Sequence, residues 1–303
     1  MSGPILVAPA PFRAAGLRAT QVAAALGRGL EAGGREVDLC PLADGGAGTL
    51  EILLPRLAGE TAAVEVGGRR VGIGLIEDGG TAIVELGSVL GESRGAGAGG
   101  GSSSARAGEG DGSARAGGAG EAASSAPAGE LLLAAAATGA EVLLVGAGDV
   151  AAGDGGEGCV EVIASGGGID ARIVVLCDVR TPAGGVAWGA TGGGIAGALA
   201  QACDAQPESG ASFVLDVLDG DARMRAARAI VVGEGLLDLH TLAGKAPGEL
   251  ATRARQSGVP CFAVVGSRTL DAFGGRILDL QAVLEASTLD ALEQAGKRLA
   301  ELV

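Results

Sequence analysis

Lysine is almost missing from this chain. Of its 22 basic residues only Lys245 and Lys297 are lysines; the rest are arginines. Histidine is reduced to His240, and the five cysteines (Cys40, Cys159, Cys177, Cys203 and Cys261) include no C-x-x-C pair. One histidine and scattered thiols do not make a zinc ligand set. An odd number of cysteines without a framework points to a reducing cytoplasm. Ile5–Ala8 is apolar but short and has no basic residue before it, so no secretory leader is expected. No stretch reads as a membrane span. The best candidate, residues 131–148, carries Glu141 and divides better into a helix and a strand. A net charge of −14 argues against nucleic acid or an anionic membrane as partner. The expected partner is a small molecule, and the expected assembly a monomer or homodimer.

What is present suffices for a large core: 303 residues, 48% of them apolar, enough for one large domain or two smaller ones. Residues 92–129 form an exception. They contain no leucine, isoleucine, valine or aromatic residue. Such a tract cannot bury enough apolar surface to offset its ordering entropy and reads as a disordered insertion, with a mobile lid as the less favoured reading. Its end-to-end distance would be roughly 35 Å, which need not disturb the fold it interrupts.

Elsewhere strand and helix patterns alternate. Ile5–Ala8, Val37–Cys40, Glu141–Val145, Arg172–Cys177, Ile230–Val232 and Cys261–Val265 read as buried strands. Residues 61–66, 70–77 and 81–86 read as a hairpin-rich stretch. Val22, Leu26 and Leu30 recur at helical spacing within Arg18–Ala32, and Leu289–Leu302 closes the chain with a second apolar stripe. Helices are also read at Leu131–Thr138, near Gly192, around Asp221–Arg228, and from Pro247 to Gly258. This order predicts an α/β fold with a mostly parallel sheet and right-handed crossovers.

Acids recur where these strands end. Asp44 follows VDLCPLA, Glu85 closes TAIV, Asp149 and Asp154 follow VLLVGAG, Asp178 closes IVVLC, and Glu234 and Asp238 follow IVVG. In open α/β sheets ligands bind beyond the carboxyl ends of the strands. Most of these acids have glycine neighbours (Gly45 and Gly46, Gly155 and Gly156, Gly233 and Gly235), which let backbone N–H groups approach an anion. Acids among backbone donors suit a cation and a phosphate held together, as phosphoryl transfer requires. Lys245 follows Gly244 just before a predicted helix start, where an anion is welcome. A single Gly-Asp-Gly is more often only a turn, and a lone lysine more often a solvated loop cation; recurrence at several strand ends is what suggests a site. Gly192, Gly194 and Gly197 match G-x-G-x-x-G but follow no clear strand, so a hydride-transfer enzyme ranks last. A Walker sequence fails at Leu239. His240 reads as a loop hydrogen-bonder, Trp188 as core, and Cys159 and Cys177 as small buried apolar residues.

Several stretches together resemble the bacterial two-domain glycerate kinases. They are VAPAPFR (7–13), LCPLADGGAGTLE (39–51), GGTAIVELGS (79–88), GDGGEG (153–158), CDV (177–179), GATGGGIAG (189–197), VVGEGLLDLHTLAGKAP (231–247) and CFAVVGS (261–267). The resemblance spans nearly the whole chain outside 92–129. It implies ATP- and Mg²⁺-dependent phosphorylation of D-glycerate. It also implies a discontinuous α/β domain, 1–64 with 228–303, and an inserted α+β domain, 65–227. Carried over by motif, Lys245, Glu234, Asp178 and Asp154 become the catalytic candidates, with Asp178 and Asp154 as metal ligands and Glu234 as a candidate base. Arg13, Asp44, Gly45, Gly46, Glu85, Gly233, Gly235, Asp238 and Gly244 become contacts to substrate or phosphate. Departures from the family pattern fall at Ala10, Arg13, Ala47, residues 149–153 and Ala243, mostly on the substrate side. They keep a second reading open: a paralogue that binds nucleotide or an organic acid without turnover.

Overall fold

The computed structural model describes residues 3–91, 123–150, 152–179 and 189–303. Trp188 and most of the tract 92–129 lie outside the described residues, as do the readings made for them. The described strands are β1 (Ile5–Pro9), β2 (Val37–Leu39), β3 (Glu60–Val66), β4 (Arg69–Ile76), β5 (Thr81–Glu85), β6 (Val142–Gly146), β7 (Arg172–Cys177), β8 (Gln206–Ser209), β9 (Ala229–Leu237), β10 (Cys261–Arg268) and β11 (Leu280–Glu285). They build two sheets. One is parallel throughout, in the order β11-β10-β9-β1-β2. The other runs β3-β4-β5-β6-β7-β8, antiparallel over β3-β4-β5 and parallel from β5 to β8. The predicted hairpin stretch is thus the antiparallel edge of a mixed sheet. The first sheet draws its strands from both ends of the chain, and β3 already belongs to the second.

Strand periodicity decides which core each residue enters. In β1, Ile5 and Val7 face the helices Ala19–Ala32 and Leu289–Leu302, together with Val22, Leu26, Leu292 and Leu299. Leu6 and Ala8 face the other way, toward Leu250 and Ala254 of the Ala246–Ser257 helix and Val214 and Leu215 of the Gly210–Val217 helix. The same core receives Ile83, Leu144, Val174 and Leu176 from the second sheet. Their neighbours Val84, Leu143, Val145, Ile173 and Val175 enter a third core with Leu131, Leu132, Ile163 and Leu199. Both faces of both sheets are covered, which is why these strands read as continuous apolar runs.

Two details correct the sequence reading. The sequence extends the expected insertion to Gly129, but residues 126–129 are the first turn of the Ala126–Ala136 helix. Ala-rich sequence favours helix, and Pro127 in the first turn has no intrahelical bond to lose. Strand β9 was ended at Val232, but it continues to Leu237, so Glu234 is a strand residue.

The Ala19–Ala32 and Leu289–Leu302 helices meet through glycine. A Cβ at Gly29 would collide with the Glu293 carbonyl, and one at Gly296 with the Leu26 carbonyl. Gly29→Leu is therefore expected to destabilise the fold by about 1–3 kcal/mol through overpacking. A urea midpoint unchanged from the parent would contradict this contact.

Candidate active site

The site is assembled from turns at the carboxyl ends of strands in both sheets. Arg13 follows β1, Asp44 follows β2, Asp149 follows β6, Asp178 follows β7, and Lys245 follows β9. The Asp44–Gly46 turn rests on the second sheet. Gly148 N–H donates to Gly45 O at 3.0 Å, and a Cβ on Gly45, whose φ is +89°, would lie 2.5 Å from Leu176 O. Glycine is required there on both counts. At Gly46 a Cβ would press into the Asp149 carboxylate and lie 2.8 Å from Arg13 Nη2.

Asp149 is the hub. Its Oδ1 accepts from Lys245 Nζ at 3.0 Å, its Oδ2 pairs with Arg13 Nη2, and its backbone N–H donates to Asp178. It sits at φ +60°, a left-handed conformation that costs a non-glycine residue energy. Arg13 Nη1 is buried and has no hydrogen-bond partner among the described residues. Asp44 is buried, and its carboxylate accepts from the backbone N–H of Ala246, the first residue of the Ala246–Ser257 helix. The anion expected at this helix start is therefore the protein's own Asp44, while Lys245 occupies the N-cap position.

The electrostatics follow from three acids around two cations. Burial raises the Asp44 pKa and Asp149 adds to this, against the pull of Lys245 and Arg13. Burial pushes Asp178 up to about 6, with Asp44 and Asp149 reinforcing the shift. Burial works to lower the Lys245 pKa, but Asp44, Asp149 and Asp178 more than reverse it, so the ammonium is held above its ordinary value. Glu234 stands apart. It is 5% exposed, its Oε1 accepts from Thr241 Oγ1 at 2.7 Å, and burial pushes its pKa up to about 8.

The other candidate acids are tied to local backbone. Asp238 caps the short Leu239–Leu242 helix, accepting from His240 N–H (2.8 Å) and Thr241 N–H (3.3 Å), and its Oδ2 lies 3.1 Å from His240 Nδ1. Glu85 Oε1 accepts from Leu50 N–H at 2.8 Å in the first turn of the Thr49–Arg56 helix. Asp154 Oδ2 accepts from Ser125 N–H (2.7 Å) and from the hydroxyls of Ser125 (3.1 Å) and Ser124 (3.2 Å), and its Oδ1 accepts from Gly156 N–H (3.1 Å). Burial works against its ionisation, but these four donors hold its pKa below the ordinary value. None of those bonds joins Asp154 to the Lys245 group. It anchors the start of the Ala126–Ala136 helix, and Asp154→Ala is expected to cost about 1.5–3 kcal/mol as bonds to a charged group are lost. An unchanged thermal midpoint for that variant would show that the anchor is idle.

Gly233 and Gly235 lie within β9, against Pro9 and Phe12, and Gly244 turns the chain into Lys245 at φ +124°. Sequence reasoning noted Asp149 as a strand-end acid but left it out of the site; the rule that selected Asp178 would have selected it too. All five cysteines are free, with Cys40, Cys159, Cys177 and Cys261 buried. Among the described residues no group of three or more His, Cys, Asp or Glu side chains is placed to hold a metal ion, and no helix is long and apolar enough to cross a membrane.

Two α/β sheets presenting a lysine, an arginine and three carboxylates at their strand ends define the class: a mixed α/β protein with a charged crevice. The fold has a solved counterpart. A Salmonella typhimurium LT2 protein assigned as glycerate kinase 2 matches with a TM-score of 0.67 over 100% of this chain and 98% of its own, at 24% identity. In sequence, 63 residues are 43% identical to a glycerate kinase of Neisseria meningitidis serogroup B (strain ATCC BAA-335 / MC58). That stretch is 21% of this chain and only 17% of the relative's length. The model of the glycerate kinase family matches residues 5–166 and 169–302. The chain belongs to the glycerate kinase family.

Proposed function

We propose that this protein transfers the terminal phosphoryl group of ATP to a hydroxyl of D-glycerate. The observation that carries this reading is the Lys245–Asp149–Arg13 group at the strand ends, with a buried Arg13 N–H that lacks a partner, in a chain of this family. Lys245 and Arg13 bind the phosphates, and Asp149 gives up its two cations as phosphate oxygens replace it. The hydroxyl oxygen bonds to phosphorus as the bond to the bridging oxygen breaks; ADP leaves with the charge, and the hydroxyl proton passes to solvent water late in the step. Such a loose transition state asks mainly for positioning and charge neutralisation. Burial pushes the Glu234 pKa up to about 8, and its carboxyl is engaged in holding Thr241, four residues before Lys245, so we give it a positioning role here.

Mg²⁺ fits this donor set. A nucleotide-bound Mg²⁺ needs only one or two protein carboxylates and keeps water ligands. After burial, Asp44 is the main cause that raises the Asp178 pKa, as a closely placed acid without a shared cation does. These two would hold the ion, which supplies neutralisation of phosphate charge. The division into a discontinuous unit and an inserted unit belongs to the same proposal, with the first boundary moved from 64/65 to before β3, which pairs over its whole length with β4, as does a cytoplasmic location for a protein with five free thiols.

One observation favours a second reading. Asp149 already neutralises both cations, so a paralogue that binds ligand without turnover would look the same at this site. ³¹P NMR of the protein with Mg-ATP and D-glycerate separates the two. A new phosphomonoester signal, growing far more slowly with Lys245→Ala, is expected; ATP left intact by folded protein would sink the kinase reading.

A further inference from the structure

The chain leaves β1 toward β2 on one side of the first sheet, while β9 leads to β10 and β11 on the other. A crevice therefore opens beyond the carboxyl ends of β1 and β9, the place where open α/β sheets take their ligands. A cleft of about 260 Å³ lies there, lined by Phe12, Ala14, Ala15, Gly235, Gly266, Ser267 and Ser287. None of these residues is charged. Apart from Phe12 they offer small side chains, with two hydroxyls and backbone polar groups. Its size is just under the roughly 300–1,000 Å³ of sites for whole small molecules, so it suits a part of one.

The charge lies next door. Arg13 sits in the chain between Phe12 and Ala14, and its guanidinium leads to Asp149 and Lys245. A neutral compartment opening onto a cationic one matches a ligand with a neutral body and an anionic tail. A hydroxy acid has the opposite character: a few atoms carrying their charge on the body itself. It would leave this cleft unfilled and its carboxylate unpaired there.

We infer that this cleft receives the nucleoside end of the phosphoryl donor, with the phosphates running past Arg13 toward Lys245. The inference rests on the reading that the protein uses a nucleotide, and it names the subsite that reading leaves open. The Ser267 and Ser287 hydroxyls and the backbone of Gly235 and Gly266 would meet the polar edges of the base or sugar. Ala14 and Ala15, being small, leave it room.

The test fills the cleft from exposed positions that the fold does not depend on. Ala15→Trp and Ser267→Trp are compared with the parent by calorimetric titration with a non-hydrolysable ATP analogue, and separately with D-glycerate. Thermal melts check that both variants are folded. The expected result is at least tenfold weaker nucleotide binding in both variants, with D-glycerate binding unchanged. If the parent binds nucleotide and both folded variants bind it equally well, the assignment of the cleft falls while the kinase reading stands. If the variants lose D-glycerate and keep the nucleotide, the cleft is the acid's subsite and the assignment is overturned. If the parent binds D-glycerate but no nucleotide, both fall together.

Discussion

Lys245→Ala is expected to lower kcat by about a hundredfold to a thousandfold, the usual loss when one preorganised charge donor is removed from a phosphoryl-transfer or acyl-transfer site. The reason lies in the arrangement around it. Lys245 offsets Asp44, Asp149 and Asp178 in a largely buried setting, and its ammonium is held firmly charged by them. Without it Arg13 alone faces three carboxylates. Asp44 and Asp178 should then take up protons more readily, so the pH profile of the residual activity should shift to higher pH. Lys245→Arg restores charge but not shape, since a planar guanidinium replaces a compact ammonium, and is expected to recover only part of the rate. Steady-state kinetics with ATP and D-glycerate would decide. If Lys245→Ala kept kcat and changed only KM, the lysine would serve binding uniformly and not the transition state.

Glu234→Gln is expected to act on stability, and only at higher pH. The Glu234 pKa is pushed from an ordinary 4.5 to about 8, mainly by burial. Between those values the folded protein holds a proton that the unfolded chain has released. Stability therefore falls as pH rises through about 4.5 to 8, and the full cost of the buried charge is present above 8. Glutamine keeps an acceptor for the Thr241 hydroxyl and never ionises. Parent and variant should unfold at similar urea concentrations near pH 5, whereas at pH 9 the variant should be more stable by on the order of a few kcal/mol. Equal midpoints at pH 9 would mean that water or a cation reaches Glu234 and that its burial is overstated.

These two residues also show what was legible in the sequence. Lys245 stood out because lysine is so scarce and a helix start followed it. Glu234 was misplaced, because Gly233 and Gly235 read as the end of a strand. In the fold they are the opposite. A Cβ at Gly233 would lie 2.9 Å from Pro9 Cβ and 3.1 Å from Val264 O, so glycine lets β9 lie close to its neighbours. Elements with strong periodicity, β7 and the Leu289–Leu302 helix, were readable to the residue. The Glu157–Ser165 and Gly210–Val217 helices were not, since the first begins among glycines, the second follows a short strand after only the Ser209 cap, and both are short. The start of the Ala126–Ala136 helix was hidden by alanine, serine and glycine continuous with the tract before it. The distant Asp154, through Ser124 and Ser125, fixes where that helix starts. Asp149 illustrates the same limit: its importance comes from meeting Arg13 and Lys245, which lie 136 residues before it and 96 residues after it.

The core shared by Leu6, Ile230 and Val232 on one side and by Ile83, Leu144 and Leu176 on the other has a consequence for how the chain can be cut. A fragment carrying β3 to β8 alone would present those three residues, with Val174, to water. A fragment joining the two chain ends would keep the Ala246–Ser257 helix on the first sheet's face but strip away the Gly210–Val217 helix packed against it. Neither half is a transplantable module. The helices between the sheets are shared property, and the crevice between the strand ends exists only while both sheets are present.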